Sequence, residues 1–353
     1  MAIRVMIMAG GTGGHVFPAL AVANYLIEAG HQVSWLGTQK GIEARVVPEA
    51  GITIDWLSVS GLRGKGLSRL LLAPFMLLKA CYQASVIIRQ RQPDVVLGLG
   101  GFASGPGGLM SWLHGRPLVI HEQNRVPGTT NRLLKGFAKR VLEAFPHSFD
   151  KKDNAVFTGN PVRKALLKQR EDETKKGTNI LVVGGSLGAS ILNEVVPNAL
   201  KGLQEELALK VIHQAGKTTI ETAKEQYKLA DINADIRSFI DDMNQAYQWA
   251  DIVICRAGAM TVSELAVMGL PSILVPLPHA IDDHQTKNAA YLADEGAAVL
   301  MPQPSFTSEA LRETLKSLLA NKSRLTNMGS MARTLAKPEA TKLVANVCLE
   351  VAL

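Results

Sequence analysis

Short apolar runs of strand length recur at Arg4–Met8, Gln32–Leu36, Asp94–Leu97, Leu118–His121 and Val141–Ala144, with segments of helical spacing such as Pro18–Ala29 between them. This rhythm predicts βαβ units. It pauses at a polar, lysine-rich stretch, Lys168–Asn179, and resumes with strands predicted at Ile180–Val183, Lys210–Gln214, Ile236–Phe239, Ile252–Cys255 and Ser272–Val275. The pattern implies two α/β halves, each wound as an open parallel sheet. Their boundary is expected near Gly159–Lys164, where an Asn-Pro turn precedes the second set. A chain of 353 residues fits two domains of roughly 150 to 200 residues each.

Ligands of such sheets bind beyond the carboxyl ends of the strands, so the loops there carry the candidate chemistry. The first strand runs into MAGGTGGHVFPAL, residues 8–20, whose glycines are costly unless backbone must come close to something. No GKS or GKT follows, so this is not a Walker loop, and counting GxGxxG from Gly11 requires glycine where Val16 stands. What remains is close approach of backbone amides and a helix N-terminus to an anionic or polar ligand. His15 would open that helix and face the crevice, or else merely satisfy a nearby backbone group.

The second half repeats the device with GGSLGA, Gly184–Ala189. These residues also match a GxSxG nucleophile elbow, with Ser186 as nucleophile and Asp251 and His284 following in hydrolase order. A phosphate-binding turn or a plain tight turn fits the same residues. A third cluster, Gly98–Leu109, and the strand-end residues His121–Asn124 (HEQN) complete a set of loops suited to a polar, hydroxyl-rich ligand. Further on, Thr261 and Glu264 read as a capping box, Thr at the cap and Glu three residues later. A carboxylate there could instead accept hydrogen bonds from a ribose diol while the helix N-terminus faces a diphosphate.

Composition removes several classes. At 47% hydrophobic and 20% charged residues the chain is not a disordered one. Its three cysteines have neither disulfide-framework nor metal-site spacing, which fits a reducing cytosol. The beginning, MAIRVMIMAGG, lacks the architecture of an export leader. The longest apolar run, Leu70–Leu78, is far short of the roughly 20 residues that span a bilayer. The net charge of +7 lies wholly in the first half: residues 1–160 carry 17 Lys and Arg against 9 Asp and Glu. Residues 57–93 hold Arg63, Lys65, Arg69, Lys79, Arg89 and Arg91 without one acid, which predicts an anionic partner. Clustered aromatics for base stacking are missing, so nucleic acid is not expected.

Taken in order, GGTGGH, SGLRGKG, GGFASGPGG, HEQN, GNPVR, GGSLGA, FIDDM, RAGAMTVSELAVMGLPSILVP and HQTKNA resemble the MurG family across nearly the whole chain. That family comprises cytoplasmic glycosyltransferases that add N-acetylglucosamine to lipid I in bacterial peptidoglycan synthesis. The resemblance implies the α/β GT-B fold, two Rossmann-like domains with parallel sheets facing a central cleft. Residues 1–162 would bind acceptor and membrane, residues 163–337 would bind UDP-N-acetylglucosamine, and a C-terminal helix of about 338–353 would pack back on the first domain. On the second domain the resemblance places Arg163, Ser186, the backbone of Ile240, Ala259, Met260, Thr261, Val262, Ser263, Glu264 and Gln285 at the donor. Thr12, Gly13, Gly14, Asn124 and Asn288 would complete that site, and Arg63, Gly101, Ser104, Gly105 and His121 would meet the acceptor. Leu187 and Phe102 depart from the Gln and Tyr frequent in the family, so side-chain contacts there do not carry over.

The implied chemistry is a single displacement, because a β-1,4 bond from an α-linked donor inverts the anomeric carbon. His15 is the base candidate, since histidine ordinarily titrates at about 6.5, and Glu122 is the alternative. No Asp-x-Asp motif is present, so no metal ligand is assigned and no cofactor is expected; helix N-termini, glycine-loop amides and Arg163 would balance the diphosphate charge. Leu71, Phe75, Leu78 and Tyr82 share one helix face, which either enters the core or lies on a membrane. A lipid-linked acceptor favours the second, with Arg63, Lys65, Arg69, Phe75 and Lys79 on an anionic leaflet and the enzyme peripheral to the cytoplasmic face of the inner membrane.

Overall fold

The computed structural model describes residues 1–58, 67–168, 178–185, 187–278 and 280–353. Arg63, Lys65 and Ser186 lie outside them. The chain divides into two compact units, Met1–Arg163 with Lys337–Leu353, and Lys164–Ala336. Arg163 and Lys337, expected in the second domain, thus belong to the first, where Arg163 sits 5.8 Å over the Phe17 ring and Lys337 4.6 Å over Phe157.

The first unit is built on seven parallel strands, β1 (Arg4–Met8), β2 (Gln32–Gly37), β3 (Thr53–Trp56), β4 (Val95–Gly98), β5 (Leu118–Glu122), β6 (Arg140–Glu143) and β7 (Val156–Phe157), in the order β3-β2-β1-β4-β5-β6-β7. Its helices are α1 (Gly13–Glu28), α2 (Glu43–Glu49), α3 (Leu67–Arg91), α4 (Ser104–Leu113) and α5 (Thr129–Leu134). Alternation along β1 gives each face of the sheet a core. Val5 and Ile7 pack with Val16, Ala19 and Val22 of α1, while Met6 and Met8 pack with Ala84 and Ile88 of α3. Burial on both faces is why the inner strands read as apolar runs.

The second unit has β8 (Thr178–Val183), β9 (Leu209–Gln214), β10 (Asp235–Arg237), β11 (Ile252–Cys255), β12 (Ser272–Leu274) and β13 (Ala298–Leu300), in the order β10-β9-β8-β11-β12-β13. Around it stand α6 (Ser190–Lys201), α7 (Ile220–Ala230), α8 (Met243–Trp249), α9 (Ala259–Met268), α10 (His284–Ala293), α11 (Ser308–Leu319) and α12 (Lys322–Leu335). The last helix, α13 (Ala340–Ala352), returns to the first unit, where Val344, Ala345 and Cys348 enter the core beside α1.

Both sheets reverse direction between their first and fourth strands, at β1/β4 and at β8/β11. Loops leaving neighbouring strands diverge at such a switch point and open a crevice. Three of the four loops there are glycine clusters singled out in the sequence, and the fourth is Arg256–Gly258. Helix α9 begins three residues earlier than the capping box requires, with Gly258 as its N-cap. Thr261 and Glu264 therefore lie inside the helix, and the capping reading of Glu264 is overturned.

Candidate active site

In the first unit, two loops lock together around one buried carboxylate and a third packs against the first of them. Glu43, the first residue of α2, accepts the Gly11 amide at 2.9 Å on Oε2, and the Thr38 amide and hydroxyl at 3.0 and 2.7 Å on Oε1. A Cβ at Gly10 or Gly41 would run into this carboxyl group. Gly101, at φ +83°, approaches the Gly10 carbonyl so closely that any side chain would strike it. Thr12 then opens α1 in extended geometry, and its carbonyl accepts the amides of His15 and Val16. Gly13 and Gly14 form the half-exposed first turn of that helix, a place where amide dipoles favour an anion.

His15 lies half-exposed against Gly100, where a Cβ would come within 3.2 Å of the ring. Its Nδ1 is 2.7 Å from Gln123 Oε1. Gln123 Nε2 donates to the His121 carbonyl at 2.9 Å and reaches His121 Nδ1 at 3.0 Å, and His121 Nε2 meets the Gly159 carbonyl at 3.0 Å. His121 and Gln123 are almost wholly buried. Burial pushes the His121 ring down to about 4, opposed by its bond to Gly159 and the charge of Glu122, so the ring is neutral at physiological pH.

Several expected ligand contacts are braces in this arrangement. Glu122 is 1% exposed and accepts four N–H bonds, from the Asn124 amide and side chain on Oε1 and from Gly128 and Asn131 on Oε2. A carboxylate so committed organises its loop, with both oxygens engaged by its own backbone and side-chain donors. Ser104 is fully buried with its hydroxyl between the carbonyls of Met8 and Gly100, and His121 is equally shut away, so neither offers a surface to an acceptor. Gly105 lies near Thr130 in α5.

The second unit uses the same devices. Gly188 (φ +83°) and Gly216 (φ +85°) meet backbone to backbone after β8 and β9, with no room for a Cβ on either. Past β11, Asn288 of α10 is buried and donates to the Ala257 carbonyl at 3.3 Å, fixing the turn into α9. Ser263 bonds back to Ala259, and Val262 is fully buried, so a ligand would meet the backbone at these positions. Glu264, 8% exposed, accepts the Tyr247 hydroxyl at 3.1 Å. The Ile240 amide donates to Gln214 Oε1 at 3.3 Å, and Gln285 Oε1 accepts the Leu277 amide at 2.9 Å.

The hydrolase reading fails on this geometry. Asp251 accepts the Asn179 amide at the amino-terminal edge of the sheet, whereas the GGSLGA turn leaves the carboxyl end of β8. A six-residue strand separates those edges by about 20 Å.

Glu43, Gln123, Gln214 and Tyr247 were not foreseen as site residues. Gln123 stood inside the HEQN motif, but nothing local tells its role from that of its neighbours. Arg69 lies within α3, and in the same helix Phe75 (70%), Leu78 (67%) and Tyr82 (72%) are exposed, so the core reading of their face is excluded. Lys79 is exposed beside them.

Two Rossmann-like units, each with glycine loops and helix N-termini at its switch point, make up the GT-B architecture. Residues 5–143 match the glycosyltransferase family 28 N-terminal domain, and residues 179–344 match the family 28 C-terminal domain. The chain is 56% identical over 351 residues to the UDP-N-acetylglucosamine–N-acetylmuramyl-(pentapeptide) pyrophosphoryl-undecaprenol N-acetylglucosamine transferase of Methylococcus capsulatus, covering 99% of each. The corresponding enzyme of Ectopseudomonas mendocina is 55% identical over 350 residues, covering 99% of this chain and 98% of that one. The crystal structure of Acinetobacter baumannii MurG superposes with a TM-score of 0.82 at 44% identity, again over 99% of both chains. The chain belongs to the MurG family within glycosyltransferase family 28.

Proposed function

We propose that the protein transfers N-acetylglucosamine from UDP-N-acetylglucosamine to the 4-hydroxyl of the muramyl sugar of lipid I, forming lipid II. Similarity over the full length to transferases named for that reaction supports the substrate pair. The observation that carries the catalytic reading is His15: it lies in the first turn of α1 at the switch point, with Nδ1 engaged by Gln123 and no hydrogen bond to Nε2 among the described residues. Nε2 takes the proton of the attacking hydroxyl. The oxygen forms the new bond to the anomeric carbon from the side opposite the nucleotide, and UDP leaves with the electron pair of the broken bond. The amino-terminal turn of α9 and the glycine-loop amides favour the charge that develops on the diphosphate. Incubation with radiolabelled UDP-N-acetylglucosamine and a short-chain lipid I analogue should yield labelled disaccharide product. Hydrolysis to free sugar, or no turnover, would refute the assignment.

Glu264 is assigned to the donor ribose. Glu264→Gln keeps an oxygen for the Tyr247 hydroxyl, so stability should hold. The charged acceptor is lost, so donor affinity should fall about tenfold and preference over 2′-deoxy-UDP-sugars should weaken. Unchanged donor titrations would leave Glu264 as a partner of Tyr247 alone.

No helix of the described residues is long and apolar enough to cross a membrane. A lipid-linked acceptor must therefore be met at the surface, and α3 with the α4 packed against it is the assigned contact. Leu77, Phe75, Leu78 and Tyr82 on α3, and Trp112 and Leu113 on α4, are all about half exposed or more. Exposed apolar residues beside Lys79 and without neighbouring acids in α3 suit an anionic leaflet. The protein should co-sediment with anionic but not neutral vesicles, and Phe75→Ser with Leu78→Ser should weaken this at least severalfold. Equal sedimentation of variant and parent would remove α3 from the role.

A further inference from the structure

The donors and acceptors behind His15 have one consistent assignment, set by two backbone carbonyls. A carbonyl only accepts. The Gly159 carbonyl therefore requires a proton on His121 Nε2, and because this buried ring is neutral, His121 Nδ1 is bare and can only accept. The His121 carbonyl requires the amide nitrogen of Gln123 on its side, which sends the second Nε2 proton to His121 Nδ1 and turns Oε1 toward His15. Oε1 also only accepts, so the proton on the neutral His15 ring must be on Nδ1. We propose that Gln123, backed by His121, is a positioning residue that locks His15 in the Nδ1–H tautomer and leaves Nε2 as its proton-accepting nitrogen.

This inference rests on the reading of His15 as the base and deepens it. In water neutral histidine prefers the opposite tautomer, which would present an N–H to the acceptor hydroxyl and take no proton. The relay reverses that preference before substrate arrives. When Nε2 takes the proton, Nδ1–H stays bonded to Oε1, so nothing behind the ring has to reorganise. Gln123 can hold this orientation because it is 1% exposed and every polar hydrogen of its side chain is engaged. The Asn160 side chain donates to the Gln123 carbonyl at 3.0 Å and fixes the backbone as well.

The full-length protein, labelled with ¹⁵N in its histidine rings, provides the test at a pH where His15 is neutral. The eight histidines are distinguished by the signal lost in His15→Gln. The parent should give His15 a pyrrole-type Nδ1 and a pyridine-type Nε2; the reverse pattern would overturn the proposal without any variant. Gln123→Met, close in shape but unable to accept, should shift the ring toward Nε2–H and lower kcat about 10- to 100-fold with donor KM unchanged. That is less than the ~10⁴ of a mis-set triad histidine, because an unlocked ring still samples the productive form. Gln123→Glu retains an acceptor toward His15 and should retain the parent tautomer. The same tautomer in the Met and Glu variants would overturn the proposal. An active His15→Ala enzyme would overturn the base reading instead, which the tautomer signals do not depend on.

Discussion

His15→Ala should lower kcat by about 10² to 10⁴ while the dissociation constant for UDP-N-acetylglucosamine stays within twofold. The size follows from what the substitution removes. A positioned base contributes only as the hydroxyl proton moves, so ground-state donor binding is spared and the loss falls in the transition state. The helix start and its amides remain, since Thr12 supplies the backbone cap and the His15 side chain bonds to Gln123 and not to the backbone of α1. Calorimetric donor titration beside initial-rate kinetics separates the two terms. Near-normal turnover would take the role from His15, and Glu122, with four N–H donors on its oxygens, is not placed to inherit it.

Glu43→Ala should cost the first unit about 3 to 5 kcal/mol, read as a fall in the urea midpoint of its transition. Three donors, the Gly11 amide and the amide and hydroxyl of Thr38, lose their acceptor inside a buried site, and each unsatisfied donor costs about 1 to 3 kcal/mol. Partial entry of water offsets some of that sum. Activity should fall with stability, because the same carboxylate ties Gly11, the residue before the Thr12 cap, to α2. Glu43→Gln keeps one accepting oxygen and should lie between the two. A midpoint for Glu43→Ala matching the parent would mean that the glycine loop holds its shape without the brace.

Much of this protein was legible along the chain. The ten predicted strands all exist, and for the inner ones burial of both sheet faces leaves an apolar run that local periodicity detects. Missed were β3, β7 and β13, three of the four edge strands, whose partly exposed residues leave no clear apolar run. The glycine loops were legible for a similar reason, since a glycine cluster after an apolar run marks backbone that must approach something closely.

Read in place, several residues exchanged roles. Thr261 and Glu264 have the spacing of a capping box, but α9 starts at Ala259 behind the Gly258 N-cap, and the Tyr247 hydroxyl takes up the carboxylate. Ser104 and His121, polar residues in loops of ligand-binding composition, are buried braces. Phe75, Leu78 and Tyr82 have core spacing and face outward. Sequence alone determined the two α/β halves, the loops that carry the chemistry, and the histidine at the head of α1. Only the tertiary structure decided which acids brace the loops and which side chains surround the His15 ring. Glu43 meets Gly11 across 32 residues and Gln123 meets His15 across 108, and such pairings depend on parallel strand register, which no local pattern encodes.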